Sequence, residues 1–473
     1  MFLISGGGIS GLLISSLLIK DKICSPENIL VVESSNACGG LYSPWNCSDF
    51  GKLDKGMHIF YETLIDDIDS IFYNSLPPNE WIVMENNYKD VAGAYFNGKL
   101  QINSPYPDLR FFPSRLRDEY FNDFFKNIQR IKDNNEQNHI KDLFSNKNAE
   151  EYWEKRFGKK IYQDIFNPIC KKLYGANAEN LSPNAAYFTK LDRLVLCSSS
   201  FVKDISESDF LRKVLAYPEQ LEMPFRRDNN QRGLYPKFGM SKVVDALYQN
   251  LLNKGVNFRF NSTVKKIKKL DNKFQVIIDK VDTNKISLEA DHIFWSGSKL
   301  QLAEAFQIEY DFPINVGESN YIFSRINEKD LNMPDLYYFY CFDSNYSAYR
   351  VTNISKYSNN IDKEGRILLC LEQHFTEEQR LKYYSNKGFN ELFDMEIISQ
   401  KVETKMIKNY KIPKRIFPRP LLCDDERNLK ISELDSFKNI IFSGKNKTLS
   451  KTPFFLVDSL KDIHEQYQDL FAK

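Results

Sequence analysis

The chain has 473 residues, more than one hydrophobic core normally holds, so we expect at least two domains. Its 64 Lys and Arg residues balance 63 Asp and Glu residues, and the net charge of +1 gives no field that would attract nucleic acid or an anionic membrane. No apolar run is long enough to span a bilayer, and no basic segment precedes the first apolar residues as in a secretory signal. We therefore expect a cytoplasmic protein with no transmembrane segment and no nucleic-acid partner.

The eight cysteines show no C-x-x-C spacing, which favours reduced thiols over a zinc site or a disulfide framework. The histidines also lack the spacing of a metal site, so we expect no metal.

The chain opens on the pattern of a strand, a turn, a helix and a second strand, ending in "NILVVE". In the turn, "FLISGGGISGLL", Gly6, Gly8 and Gly11 match G-x-G-x-x-G. The first glycine allows a tight turn, the second lets the backbone approach a pyrophosphate, and the third lets the helix pack on the strand. We expect these glycines and Ser10 to bind a dinucleotide at the start of the helix. The alternative is a glycine-rich turn without a ligand.

The residue at the end of the second strand indicates which nucleotide binds. Glu33 follows the strand "ILVV", and a carboxylate there can accept hydrogen bonds from both ribose hydroxyls while repelling a 2′-phosphate. NADP is therefore disfavoured, and NAD and FAD remain. Ser34 is a further expected contact of the cofactor. Two later motifs bear on the choice: "NACGGLY", which contains Gly39, Gly40 and Leu41, and "DKGMHIF", residues 54–60.

The rest of the chain predicts a second domain and a return to the first. A helical period covers 64–73 and ends before Pro77 and Pro78, and 106–225 has helical spacing of aromatic and charged residues. A loop around Gly233 leads to a helix ending near Asn253, and three short strands follow. Residues 301–404 mix strands with a helix near "EEQRLKYY". The strand "NIIFSG" and a terminal helix over 456–471 close the chain.

The sequence of motifs G-x-G-x-x-G, V-V-E, G-G and D-x-G-x-H-x-F resembles the FAD-binding fold shared by flavin amine oxidases, protoporphyrinogen oxidases, phytoene desaturases and UDP-galactopyranose mutases. "YPKFGMSKVVDAL" and "IIFSGKNKTLSKTPFFLVDSLKDI" are similar to later segments of these proteins. The resemblance implies FAD as the cofactor. It also implies an α/β fold with a doubly wound, Rossmann-like FAD-binding domain of the glutathione-reductase type and an inserted α+β substrate domain. We expect the former in 1–75, 226–300 and 405–473, and the latter, with its mainly helical insertion, in 76–225 and 301–404.

The resemblance also implies roles for single residues. In "NSTVKKI", the backbone of Val264 would meet the adenine, and Gly444 and Lys445 would lie at the cofactor in the closing segment. His58 is the candidate catalytic residue, because the mutases place a histidine of this motif beside the isoalloxazine; its alternative role is to hold backbone carbonyls. Two departures stand out: Leu41 follows the G-G pair where an arginine is common, and Lys445 stands where mutases have arginine.

Tyrosines on two late segments, "LYYFYCF" and "NYSAYR", would line a substrate pocket if their sheet faces the flavin; otherwise they are packing residues. Hydroxyls of Tyr338, Tyr340 and Tyr349 suit a polar ligand. Arg350 is a candidate for a nucleotide-sugar pyrophosphate, as are Arg366, Arg415 and Arg419.

The sequence favours an FAD-dependent oxidoreductase that oxidises a polar small molecule at an amine or hydroxyl carbon by hydride transfer to flavin N5. The substrate could be a sugar or a nucleotide sugar. Two alternatives remain open: a redox-neutral sugar mutase that uses reduced flavin, and a non-catalytic dinucleotide-binding protein. A serine hydrolase is disfavoured because G-x-S-x-G is missing. The sequence predicts no particular oligomeric state.

Overall fold

The computed structural model describes residues 1–85, 91–133, 146–183, 185–186, 191–205, 207–222, 231–280, 285–309, 316–333, 335–375, 388–401, 406–416, 430–447 and 455–471. The predicted helix at 377–384 and the predicted domain boundaries at 226 and 405 lie outside these residues.

Twenty strands occur in the described part of the chain. They are β1 (Phe2–Ser5), β2 (Ile29–Val32), β3 (Trp45–Cys47), β4 (Gly51–Leu53), β5 (Phe60–Tyr61), β6 (Trp81–Met84), β7 (Ala92–Phe96), β8 (Lys99–Gln101), β9 (Gly233–Pro236), β10 (Asn257–Arg259), β11 (Ser262–Lys269), β12 (Phe274–Lys280), β13 (Ile286–Ala290), β14 (His292–Trp295), β15 (Val316–Asn327), β16 (Tyr338–Cys341), β17 (Arg350–Asn353), β18 (Arg366–Phe375), β19 (Met406–Ile416) and β20 (Ile440–Phe442).

The α-helices of five residues or more are α1 (Ile9–Lys20), α2 (Asp66–Tyr73), α3 (Ser114–Asp133), α4 (Ala149–Phe157), α5 (Asn167–Tyr174), α6 (Ser199–Ile205), α7 (Asp209–Val214), α8 (Ser241–Asn253), α9 (Lys299–Ala305), α10 (Ile354–Ser358), α11 (Asn390–Asp394) and α12 (Leu456–Phe471). A π-helical turn, Tyr162–Phe166, leads directly into α5. None of the described helices is both long and apolar enough to cross a bilayer.

The chain divides into two compact units. Unit 1 comprises Met1–Val83, Gln231–Pro313 and Cys423–Lys473, and unit 2 comprises Met84–Asn230 and Ile314–Leu422.

A parallel five-stranded sheet, in the order β10-β2-β1-β14-β20, forms the centre of unit 1. Helix α1 follows β1 and packs against α2 and α8, while α12 packs against β20. Strands β11, β12 and β13, in the region of the three predicted short strands, form an antiparallel meander. All five parallel strands end at the same edge of the sheet, which is where ligands bind in open α/β sheets.

One predicted loop of unit 1 is partly a strand. Residues Gly233–Pro236 form β9, which pairs with β5 through Phe60–Leu234 and Tyr61–Gly233. The sequence predicts a loop here because the strand is short and its partner strand lies far away in the chain. This pairing brings the segment "YPKFGM" to the segment "DKGMHIF".

Unit 2 is built on a seven-stranded mixed sheet, in the order β19-β15-β18-β17-β16-β7-β8. Helices α3 to α7, from the segment between β8 and β9, belong to the same unit, and α5 packs against β18. One face of the sheet carries a buried apolar cluster that includes Phe339, Val351, Leu369 and Leu371. Because side chains alternate along a strand, the residues between these lie on the opposite face.

Candidate cofactor site and substrate face

The glycine turn between β1 and α1 forms an open cradle. Gly6 has a φ of +107°, and a Cβ there would overlap the hydroxyl of Ser296, which follows β14. A Cβ at Gly11 would overlap the carbonyl oxygen of Gly6. At Gly8, in contrast, an added Cβ would meet no heavy atom within 4 Å. The turn is therefore closed where the helix packs on it and open at its middle glycine.

The amino end of α1 has no side-chain cap. Gly8 occupies the N-cap position, its carbonyl accepts the first helical bond from the amide of Leu12 at 3.0 Å, and its lack of a side chain leaves the first turn uncapped. Ser10 is partly exposed in this turn. Uncapped amides at a helix start, beside an open space, are suited to an anion such as a pyrophosphate.

The buried carboxylate of Glu33 links the turn to the end of β2. Its Oε2 accepts a hydrogen bond from the amide of Gly7 at 2.7 Å. Its Oε1 accepts from the amide and the hydroxyl of Ser35, both at 2.8 Å, and from the hydroxyl of Ser34 at 3.2 Å. Glu33 thus fixes the glycine turn as well as presenting a negative charge beside it, a role that the sequence does not reveal.

The G-G pair lies directly against the first turn. The amide of Gly39 donates to the carbonyl of Gly7 at 2.9 Å, and a Cβ added to Gly40 would lie 3.8 Å from the Cα of Gly8. Gly39 has a φ of +125° and Gly40 a φ of +57°, conformations that favour glycine. Leu41 follows in the short turn Gly40–Tyr42. Two motifs separated by about thirty residues therefore form one surface.

A lysine that the sequence analysis did not single out lies at this surface. The Lys55 ammonium donates to the carbonyl of Gly40 at 3.0 Å and to the hydroxyl of Ser43 at 2.7 Å. Burial lowers the pKa of Lys55, and the charge of Glu33 opposes this shift. Lys55 supplies a positive charge beside the G-G pair, where Leu41 supplies none. Its position inside the motif "DKGMHIF" is the sequence feature that could have indicated Lys55.

His58 lies in the same segment. Its Nε2 is 2.9 Å from the carbonyl oxygen of Lys55, and its ring is tilted against that of Tyr42 with centroids 5.0 Å apart. His58 therefore contacts a backbone carbonyl, a contact of the kind required by its alternative role.

The carboxylate of Asp54 joins two motifs. It accepts hydrogen bonds from the hydroxyl of Tyr235 and from the amide of Met240, the latter at 3.0 Å to Oδ2. Burial raises the pKa of Asp54, while the bonds from Tyr235 and Met240 act in the opposite direction. The segments "DKGMHIF" and "YPKFGM" are held together at this group.

The other predicted cofactor residues lie nearby or at the same sheet edge. The amide of Ser262, at the start of β11, donates to the carbonyl of Glu33 at 2.9 Å, and Val264 is two residues further along. Gly444 follows β20, and its amide donates to Asp462 on α12 at 2.7 Å. The Lys445 ammonium donates to the carbonyls of Phe437 and Ile440 at 2.8 and 2.6 Å. These contacts direct Lys445 to the backbone of its own segment.

In unit 2, the predicted substrate residues cluster on the face of the sheet opposite the apolar cluster. Tyr340 pairs across the strands with Arg350, and Arg350 pairs with Glu372. Tyr338 and Tyr340 are buried and contact each other edge to face, with centroids 5.5 Å apart. Tyr349 is partly exposed and packs edge to face on Tyr340 at the same distance. Strand register, rather than proximity in sequence, brings these side chains together.

Arg350 is neutralised within this face. Its Nε and Nη2 donate to the two carboxylate oxygens of Glu372 at 2.8 and 2.9 Å, and the Glu372 side chain is 2% exposed. Burial alone would lower the pKa of Arg350, but the Glu372 carboxylate more than offsets this and leaves it raised. The fork-to-fork geometry occupies one of the guanidinium edges that can bind a phosphate and balances the positive charge.

Two further residues of this face were missed by sequence reasoning. His374 Nδ1 is 2.5 Å from the hydroxyl of Ser319, and its ring packs edge to face on Tyr349 with centroids 4.2 Å apart. Burial raises the pKa of Tyr349. No sequence motif relates Ser319 to His374, because only the pairing of β15 with β18 makes them neighbours.

Arg366, another candidate for a nucleotide-sugar pyrophosphate, donates to Asp362 at 2.8 Å. The Arg415 side chain and Arg419 lie outside the described residues. Within the described part of the chain, no group of three His, Cys, Asp or Glu side chains is arranged to hold a metal ion.

The sequence model of the flavin containing amine oxidoreductase family matches residues 10–294, more than half of the chain. The chain belongs to this family. Its cofactor is FAD, as predicted, and the open cradle at Gly8 together with the uncapped start of α1 fits the pyrophosphate of such a dinucleotide. The predicted resemblance and the predicted fold class, a Rossmann-like FAD-binding domain with an inserted domain, are confirmed.

Solved structures of other proteins share this fold. A reduced UDP-galactopyranose mutase matches with a TM-score of 0.70 at 13% identity, over 99% of this chain and 93% of that chain. A putative protoporphyrinogen oxidase from Exiguobacterium sp. 255-15 matches with a TM-score of 0.60 at 14% identity, over 99% and 98%. An oxidoreductase from Methanosarcina mazei matches with a TM-score of 0.58 at 11% identity, over 98% and 99%. No curated protein matches the sequence.

Proposed function

We propose that this flavin amine oxidoreductase family member oxidises a polar small molecule without a phosphate group, at a carbon next to a hydroxyl or an amine. The observation that carries the proposal is the buried pair of Arg350 and Glu372 on the tyrosine-bearing face of unit 2. Each described arginine side chain of this sheet, Arg325, Arg350 and Arg366, has a carboxylate partner. A diphosphate would meet arginines whose charge a carboxylate already balances, whereas a hydroxylated molecule does not need an unbalanced positive charge.

The cofactor-binding roles form part of the proposal. Gly6, Gly8, Ser10 and Gly11 would hold the pyrophosphate, and Glu33 with Ser34 the ribose of the adenosine. Val264 would meet the adenine through its backbone. Gly39, Gly40, Leu41, Gly444 and Lys445 would contact the remainder of the cofactor. We add Lys55, whose ammonium lies between the G-G pair and Ser43 and can balance phosphate charge.

When bound, FAD would supply the chemistry of hydride acceptance at N5. The protein residues bind and orient. Tyr338, Tyr340 and Tyr349 would present hydroxyls to the substrate, with Arg350 held in place by Glu372. His58, fixed by its contact with the Lys55 carbonyl, would orient the segment at the cofactor; a direct catalytic role for His58 is the alternative.

The test is anaerobic bleaching of the purified protein loaded with FAD. Alcohols, amines and free sugars are added one at a time, and loss of the oxidised flavin absorbance is recorded before and after air is admitted. We expect bleaching by a compound without phosphate and recovery with an added electron acceptor. If only phosphorylated or nucleotide-linked compounds bleach the flavin, the proposed substrate class is wrong.

A mutase reaction is the second candidate, favoured by the similarity in fold to the reduced UDP-galactopyranose mutase and by the histidine in "DKGMHIF". It predicts conversion of a nucleotide sugar only after the flavin has been reduced with dithionite, and without net change in flavin absorbance. A protein that binds FAD but does neither would be a non-catalytic binding protein.

A further inference from the structure

Phe238 combines two unfavourable features. It lies between β9 and α8 with a φ of +69°, in the left-handed region that aromatic residues rarely adopt, and its side chain is 63% exposed. The fold gains little from an aromatic ring that remains in water. Strained residues of this kind persist where the surroundings fix them, and they are concentrated at functional sites.

The surroundings of Phe238 do fix it. The residue before it, Lys237, donates its amide to the carbonyl of Glu80 at 2.7 Å. On the other side, the amide of Met240 donates to Asp54, and a Cβ added to Gly239 would come within 3.0 Å of that carboxylate. The loop is thus held at both ends and cannot easily relax the backbone of Phe238.

Asp54 also places this loop at the candidate cofactor site. It is the residue before Lys55, which binds Gly40 and Ser43, and it lies four residues before His58, which contacts Tyr42. The hydroxyl of Tyr235 and the amide of Met240 attach the loop of Phe238 to this segment from two positions.

We propose that Phe238 is a ligand-binding residue whose ring packs against a planar, conjugated ring of the bound ligand. The inference rests on the proposed function insofar as the ligand is FAD or a substrate oxidised by it. Either the flavin or an aromatic substrate could supply the planar ring, and stacking on an aromatic side chain suits both.

Leu64 provides a matched control. It belongs to the same unit, has a φ of +60°, and its side chain is also 63% exposed. Its amide donates to Asp69 in a local turn before α2. Asparagine tolerates the left-handed conformation, so Phe238→Asn and Leu64→Asn remove equivalent apolar side chains without added strain. Phe238→Tyr keeps the ring.

The experiment measures Tm, FAD affinity by quenching of flavin fluorescence, the absorption spectrum of the bound flavin, and KM for any substrate found by bleaching. We expect both asparagine variants to keep or raise Tm. Phe238→Asn should weaken FAD binding or raise KM about five- to tenfold, while Leu64→Asn and Phe238→Tyr should not. A change in FAD affinity or spectrum assigns the ring to the flavin, and a change in KM alone assigns it to the substrate.

The proposal is wrong if Phe238→Asn matches Leu64→Asn in every one of these readouts. Failure of the proposed function would give a different experimental result. In that case the wild-type protein binds FAD but oxidises no phosphate-free compound. The proposal then depends on FAD affinity and spectrum alone, and it is wrong if Phe238→Asn does not differ from Leu64→Asn in either.

Discussion

The glycine turn of unit 1 and the tyrosine-bearing face of unit 2 are two different kinds of candidate site. The turn offers backbone amides, and its shape depends on the absence of side chains at Gly6, Gly8 and Gly11. The face offers side chains, and its charge depends on how Arg350 and Glu372 meet across two strands. Substitutions should therefore damage the two sites in different ways: through added volume in the first, and through lost partners in the second.

The largest expected effect is at the face. Glu372→Gln leaves the Arg350 guanidinium, whose side chain is only 15% exposed, without its counter-charge. Removing one partner of a buried ion pair costs about 3–5 kcal/mol, so the free energy of unfolding should fall by this amount in a denaturant titration. Glu364→Gln is the control, because Glu364 is 70% exposed in its contact with Arg366 and should contribute less than about 1 kcal/mol. Equal losses would mean that the Arg350 pair is not effectively buried.

The next-largest effects come from two substitutions in the glycine turn, one of which should reduce stability and the other FAD affinity. Gly11→Ala forces a Cβ against the Gly6 carbonyl and should destabilise the protein by about 2 kcal/mol or more. Gly8→Ala has room and an ordinary φ of −74°, so stability should hold, while FAD affinity should fall at least about tenfold because the methyl group enters the cradle. Thermal unfolding without FAD and titration with FAD measure the two effects. Unchanged FAD affinity in Gly8→Ala would show that the pyrophosphate binds elsewhere.

A smaller effect tests the charge beside the turn. Lys55→Met keeps most of the buried stem but removes the ammonium, and FAD affinity should fall about tenfold, as for the loss of one charge-assisted hydrogen bond. The affinity of the variant should also depend less on salt concentration. Lys52→Met is the control, since Lys52 is largely exposed and pairs with Asp245. If both variants behave alike in FAD titrations at low and high salt, Lys55 does not interact with the cofactor.

The smallest effect concerns pH. Because burial raises the pKa of Asp54 above its ordinary value of 3.8, the folded protein holds this proton more tightly than the unfolded chain does. The contribution of Asp54 to stability therefore decreases as pH rises from 3.8 through the folded-state pKa, and is constant above it. Asp54→Asn lacks this titration, so its stability relative to wild type should rise over that window. Denaturant unfolding at a series of pH values measures the difference, and parallel curves would contradict the raised pKa.

The residues of the candidate cofactor site could be proposed from the sequence because their motifs are local. Gly6, Gly8 and Gly11 are close together, and Glu33 follows at the spacing of one β-α-β unit. The contacts among these motifs could not be predicted in the same way. Lys55 at Gly40 and Asp54 at Tyr235 depend on how separate segments pack, and a lysine or an aspartate gives no signal of its partner.

The sequence by itself therefore indicated a turn suited to a dinucleotide, because a backbone cradle requires glycines at fixed positions, and its resemblance to known flavoproteins implied FAD. Only the tertiary structure decided which charged side chains pair with each other. Glu372 lies 22 residues from Arg350 and reaches it through the register of β17 and β18. Likewise, only the tertiary structure gives Phe238 its left-handed backbone conformation and anchors its loop at Asp54.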